Sequence, residues 1–292
     1  MQLLVNGLIA GSLAALIAGG LALVYGVLGV FNLALGQMVL IGGYITWWLY
    51  ESVGLSLPVS ILGGLIAGGV LSLVIFQLFV EPFYRRHRFL PLVTTIALGM
   101  ILDALILLLF EERPRTILPG IKVQIPFLSA QISNVQIVLI VVTFILLCLL
   151  AWMFHTTRLG RRLRAVTQHP QAALSLGIPA PLLHCGLFIA SGILAAAGGI
   201  FLGIDQNLTP VLAFPMTIKA YAAIIAGGKG NIWGAILFAY IIAILEQLVV
   251  GLHWFGLFYI PAGYQASVAL LFIIFFLLFR PDGLFAKSVR TA

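Results

Sequence analysis

The strongest constraint in this sequence is the length of its charge-free intervals. No Asp, Glu, Lys or Arg precedes Glu51, none lies between Glu51 and Glu81, none between Lys122 and Arg158, and none between Glu246 and Arg280. These intervals are mostly aliphatic or aromatic, and a helix of roughly 20 such residues crosses ~30 Å of hydrocarbon. Only a helix or a closed barrel satisfies its own backbone hydrogen bonds there. Strand-like alternation is absent, which leaves the helix. At 62% hydrophobic and 8% charged, 292 residues carry more apolar surface than one soluble core hides. The expected fold class is all-α: a polytopic membrane helix bundle in a single transmembrane domain, residues 1–292.

Candidate spans run at 3–25, 33–50, 58–80, 91–110, 134–154, 180–202, 214–228, 231–251 and 261–279, about nine crossings. The first lacks a basic leading region and is too long for a cleaved signal core, so it reads as a helix. Gly26, Gly29, Asn32 and Gly36 interrupt the apolar run between the first two spans and predict a broken or re-entrant element. The basic residues divide unequally between the loops. Arg85, Arg86, Arg88, Arg158, Arg161, Arg162, Arg164, Lys229, Arg280, Lys287 and Arg290 fall on one side, against Arg113, Arg115 and Lys122 on the other. Assigning the richer side to the cytoplasm puts the amino terminus outside and the carboxyl terminus inside. The net charge of +7 is therefore an insertion signal rather than a nucleic-acid footprint.

Several chemistries have no residues to carry them. The phosphate-cradling P-loop is missing, since Lys229 stands between Gly228 and Gly230. Neither a Gly-x-Ser-x-Gly elbow nor a His-Glu-x-x-His helix occurs. Cys148 and Cys185 both fall in apolar runs, which supports neither a disulfide framework nor a metal site. His87, His155, His169 and His253 belong to loops or their edges, and His184 alone falls within a span, where a structural role is expected. No cofactor and no metal are expected in this chain.

The cytoplasmic stretch 157–179 predicts a short helix over Gln171, Ala172, Ala173, Leu174, Ser175 and Leu176, with Gly177 at its carboxyl end and Pro179 blocking continuation. Such an element can press an apolar face into a partner's groove while Arg161 and Arg164 offer charge; a solvated basic loop is the alternative. Ala172-Ala173 followed by Gly177 is similar to the EAA-type coupling motif of ATP-binding-cassette importer permeases, with Gln171 in the place of Glu. More broadly, the chain resembles the permease family for branched-chain amino acids, whose relatives handle amides and urea. The likeness rests on Tyr25 to Gln37, Arg161 to Gly177, Ala226 to Ala235 and Arg280 to Phe285. It implies an inner-membrane permease subunit that pairs with a second homologous permease and two P-loop ATPase subunits. Those ATPases would bind ATP and Mg, and a periplasmic or lipoprotein solute-binding protein would deliver a branched-chain or other hydrophobic amino acid. Arg161, Arg164, Gln171, Ala172, Ala173 and Gly177 would couple to the ATPase.

Polar groups inside spans are expensive and are first candidates for a pathway. These are Asn32, Gly36 and Gln37 around the glycine-rich break, Asp103, Lys219 and Glu246. A zwitterion would need Asp103 or Glu246 for its ammonium and Lys219 for its carboxylate, but a Lys219–Glu246 pair explains those two without substrate. Asp103 is also explained as a helix-packing hydrogen-bond residue. The glycines, 31 in all, point chiefly to close helix packing, as at Gly64-x3-Gly68 and Gly199-x3-Gly203. An ion-coupled secondary transporter or channel is the alternative to an ATP-driven importer, and only Asp103 is well placed for one.

Overall fold

The computed structural model describes residues 1–84, 86, 87, 89–118, 124–127, 130–228, 230–251, 265–280 and 283–285. Outside them lie Arg85, Arg88, Lys122, Lys229, His253, Pro281, Asp282, Lys287 and Arg290, together with residues 261–264 of the last expected span.

Helices form where the apolar runs predict them. α1 (Gln2–Leu28) ends at Gly29, whose left-handed backbone (φ 63°) caps it through a hydrogen bond from Gly29 N to Tyr25 O. α2 (Leu35–Trp47) continues through a π-helical turn at Trp48–Ser52. α3 (Leu57–Ile75) runs through a second π-turn at Phe76–Val80 into α4 (Glu81–Tyr84). α5 (Leu90–Phe110) starts with a proline in its first turn, where the missing N–H costs nothing. Strands β1 (Gln124–Phe127) and β2 (Ala130–Ser133) pair antiparallel, Gln124 opposite Ser133, within the stretch that reads as a plain loop. Ser133 and Gln136 then close a capping box on α6 (Asn134–Thr156). The expected loop 155–179 holds two helices, α7 (Arg158–Gln168) and α8 (Pro170–Ser175). α9 (Ala180–Asp205), a 3₁₀ turn at Pro210–Leu212, α10 (Ala213–Gly227), α11 (Ile232–Gly251) and α12 (Gln265–Phe279) complete the bundle.

By length and composition, seven stretches suffice to cross a bilayer: Gln2–Leu28, Leu57–Tyr84, Leu90–Phe110, Asn134–Thr156, Ala180–Asp205, Pro210–Gly227 and Ile232–Val249. α2 and α12 occupy the other two expected spans with regular helices of 13 and 15 residues. The chain is thus a multi-pass, all-α membrane protein whose only described strands are the short hairpin.

Burial separates centre from periphery. The apolar windows of α1 and α9 are 83% and 78% buried, against 22% for α5 and for α6. Small residues explain the centre, because in hydrocarbon helices associate by backbone approach rather than by hydrophobic exclusion. A Cβ on Gly199 of α9 would lie 1.7 Å from Val39 O of α2, and one on Gly64 of α3 would lie 2.0 Å from Thr46 Oγ1. Both small-residue spacings read from the sequence are therefore contact faces.

The two ends of the bundle differ. At one, Gln2 and Gln131 exchange hydrogen bonds of 2.8 and 3.1 Å between α1 and the hairpin, and Arg115 bridges to Leu208. At the other lie α7, α8 and the turn between α10 and α11, and onto that turn the carboxyl-terminal segment docks by Leu284 N to Ala226 O at 2.9 Å. Gly26 of α1 faces Gly230 of the same turn. Three of the four segments that carry the family resemblance thus meet at this end.

Candidate functional site

The expected interruption after α1 is real. Val30, Asn32 and Ala34 are at most 1% exposed although residues 29–34 carry no regular helix. Buried backbone freed from a helix needs other partners. Neighbouring side chains supply them: Thr95 Oγ1 of α5 accepts from Leu33 N at 3.2 Å, Asn32 Oδ1 from Ala34 N at 3.2 Å, and Thr217 Oγ1 of α10 from Gly36 N at 2.9 Å. Asn32 is thus absorbed locally. Gly36 is required, since a Cβ there would sit 1.9 Å from Ala213 O. Thr217 lies ten residues from the end of α10, about 15 Å at 1.5 Å per residue, so α2 begins deep within the bundle. One turn on, Gln37 Nε2 donates to Asp103 Oδ1 of α5 at 3.0 Å. Gln37 is 3% exposed, and Gly99 of α5 lies close beneath its amide.

Lys219 of α10 and Glu246 of α11 form the internal pair anticipated from their opposite charge, with Nζ 2.9 Å from Oε2. Side-chain exposures of 29% and 5% make this a largely buried ion pair. It lines a cavity of about 260 Å³ whose other walls include Leu13, Ile17, Met216 and Ile242. Gln206 and Gln247 border both this cavity and a polar recess of about 600 Å³ at the hairpin end, where Asn6 and Gln136 also lie. His184 stacks edge-on against Tyr84, with ring centroids 6.5 Å apart, in keeping with a packing role.

The loop residues divide into two kinds. α7 is amphipathic: Leu163 and Val166 are buried, Arg161 and Arg162 exposed. Thr157 caps its start by accepting from Gly160 N at 3.2 Å. Arg161 Nη1 donates to Thr156 O at 3.0 Å, and Arg164 Nη1 donates to Phe154 O, so both guanidinium groups satisfy the last carbonyls of α6. α8 ends in a Schellman motif, Ile178 N to Ala173 O at 3.1 Å and Gly177 N to Leu174 O at 3.0 Å, with Gly177 at φ 72°. Ala173 is 2% exposed and anchors α8 to the core. Gln171, Ala172 and Gly177 face outward. Leu174 and Leu176, 59% and 79% exposed, present the apolar surface and stand out only once the helix faces are known. Thr95 and Thr217 likewise carry no signal in the sequence, because a threonine in an apolar span has no signature until the backbone it satisfies is located.

The chain matches, over residues 3–279, the family described as branched-chain amino acid transport system / permease component. BraD, the high-affinity branched-chain amino acid transport system permease protein of Pseudomonas aeruginosa, is 32% identical over 98% of this chain and 96% of its own length. LivH of Salmonella typhimurium, of the same description, is 26% identical over 98% and 96%. The probable branched-chain amino acid transport permease protein LivH of Methanocaldococcus jannaschii is 30% identical over 85% and 80%. Among solved structures, a chain of PsaBC from Streptococcus pneumoniae in complex with Fab superposes with a TM-score of 0.52 at 17% identity, covering 97% of this chain and 93% of that one, a likeness of fold alone.

Proposed function

The chain belongs to the branched-chain amino acid permease family, and from that premise we propose that it is the membrane subunit of an ATP-binding-cassette importer for branched-chain amino acids. The observation that carries this reading is a likeness to transport permeases that runs almost end to end, not through one motif. The sequence holds no P-loop, so ATP and Mg bind to separate ATPase subunits, two per complex. A second homologous permease completes the membrane part, and an external binding protein delivers the solute. The arginine-rich end carrying α7 and α8 faces the cytoplasm and the hairpin end faces outward, as the distribution of basic residues favours.

On this reading α7 and α8 form the coupling platform. α7 is pinned to α6 by Arg161 and Arg164, and α8 to the core by Ala173, so a push on the outward Leu174 and Leu176 reaches the spans. The test is a paired substitution, Leu174→Asp with Leu176→Asp, in the complete complex. Membrane insertion stays at the wild-type level, while the ATPase subunits no longer co-purify and leucine uptake into vesicles falls at least roughly tenfold. Retained ATPase on the double variant removes α8 from the coupling role. Concentrative uptake by the purified chain without companions overturns the importer reading itself.

A further inference from the structure

The Gln37–Asp103 contact is incomplete in a way that specifies what is missing. The Gln37 amide nitrogen is turned toward the Asp103 carboxylate, which fixes which end of the amide is oxygen. Gln37 Oε1 is left buried without a hydrogen-bond partner. Among the described residues no cation pairs with Asp103. The site therefore offers an unmatched amide oxygen beside a carboxylate.

Its position excludes hydrocarbon as the complement. Asp103 lies 13 residues into α5 and seven before its end at Phe110, about 20 Å and 10 Å along the helix. It stands at the edge between a buried stripe of Leu98, Leu102 and Ile106 and an exposed face with Met100 and Leu107. A charge at that depth facing lipid is strongly disfavoured, so an ionised Asp103 requires water or a polar group at this edge of α5. Gln37 is also held in place: the break after α1, fixed through Gly36 and Thr217, sets the first turn of α2 beside Gly99 and Asp103.

We infer that Gln37 and Asp103 form a receptor for a primary ammonium group, which the α-ammonium of the transported amino acid occupies during passage. This rests on the importer reading. An ammonium carries three donors and one positive charge, enough to satisfy the amide oxygen and the carboxylate together. At the Lys219–Glu246 pair, by contrast, the formal charges cancel within the chain.

The experiment uses the complete complex in vesicles, with L-leucine as probe and uptake normalised to assembled transporter. Asp103→Asn keeps the shape and removes the charge, and uptake falls roughly tenfold to hundredfold; Asp103→Glu recovers part of it. Uptake by Asp103→Asn within about threefold of wild type overturns the inference. Should that variant not assemble, carbodiimide modification of Asp103 in the wild-type complex, read by peptide mass spectrometry, decides. Leucine and leucinamide, which carry the ammonium, slow the modification, whereas 4-methylpentanoate, which lacks it, does not. Equal rates with all three, or full protection without solute, which would assign the ammonium to a lysine of the protein, reject the proposal. A wild-type complex that neither hydrolyses ATP nor takes up leucine sinks the importer reading, and this inference with it. A working wild type with an equally working Asp103→Asn sinks this inference alone.

Discussion

Two polar contacts sit inside the bundle and are built on opposite principles. Between α10 and α11 the Lys219 ammonium and the Glu246 carboxylate meet at 2.9 Å, so the formal charges cancel within the chain. Between α2 and α5 a neutral amide meets a carboxylate at 3.0 Å, leaving a net negative charge and a buried amide oxygen unmatched. Desolvating a charge is costly in both places. In the first, the cost is offset by a partner that folding always provides. In the second, it is only partly offset, which folding tolerates when another molecule supplies the remainder. The informative property of an intramembrane charge is thus not its burial but what its surroundings leave unsatisfied.

The largest effect that could break this contrast is expected at the closed pair. Glu246→Gln strands the Lys219 ammonium, at a cost of about 3 kcal/mol, read as loss of membrane-inserted protein and a lower unfolding temperature. The swap Lys219→Glu with Glu246→Lys regains most of it. If the swapped chain is as poor as the single variant, the pair is not a self-contained structural unit. A smaller loss, about 2 kcal/mol, is expected from Gly36→Ala, because the added methyl meets Ala213 O and prises α2 from α10. Thermal unfolding measures it, and a neutral result means that the start of α2 is not locked as described. The smallest effect belongs to Asp103→Asn, which changes unfolding stability by less than about 1 kcal/mol. The new side chain still accepts from Gln37, and the uncompensated charge is gone. A destabilisation matching that of Glu246→Gln would erase the distinction between the two sites.

How much was legible depended on how local the cause was. The apolar helices fall where charge-free runs predict them, and the Gly26, Gly29, Asn32 and Gly36 cluster marks the break. Lys219 and Glu246 could be paired across 27 positions because an opposite charge in hydrocarbon has few other places to go. Gln37 and Asp103 each stand out in the sequence but nothing there joins them, since an amide has no charge to announce its partner. Arg161 and Arg164 read as charges offered outward; Arg161 is exposed, and the guanidinium groups of both also donate to the last carbonyls of α6, which spacing does not announce. Ala173 reads as part of the docking face, whereas it is the anchor.

The sequence by itself determined that this chain is a bundle of membrane helices, where most of them begin and end, and that it carries no P-loop motif. Those properties follow from the energy of moving each residue out of water, which acts position by position along the chain. Only the tertiary structure decided which intramembrane polar groups are satisfied and which are not. That outcome depends on angstrom-scale distances between side chains on different helices, set by the packing of Gly36 on Ala213 and of Gln37 over Gly99.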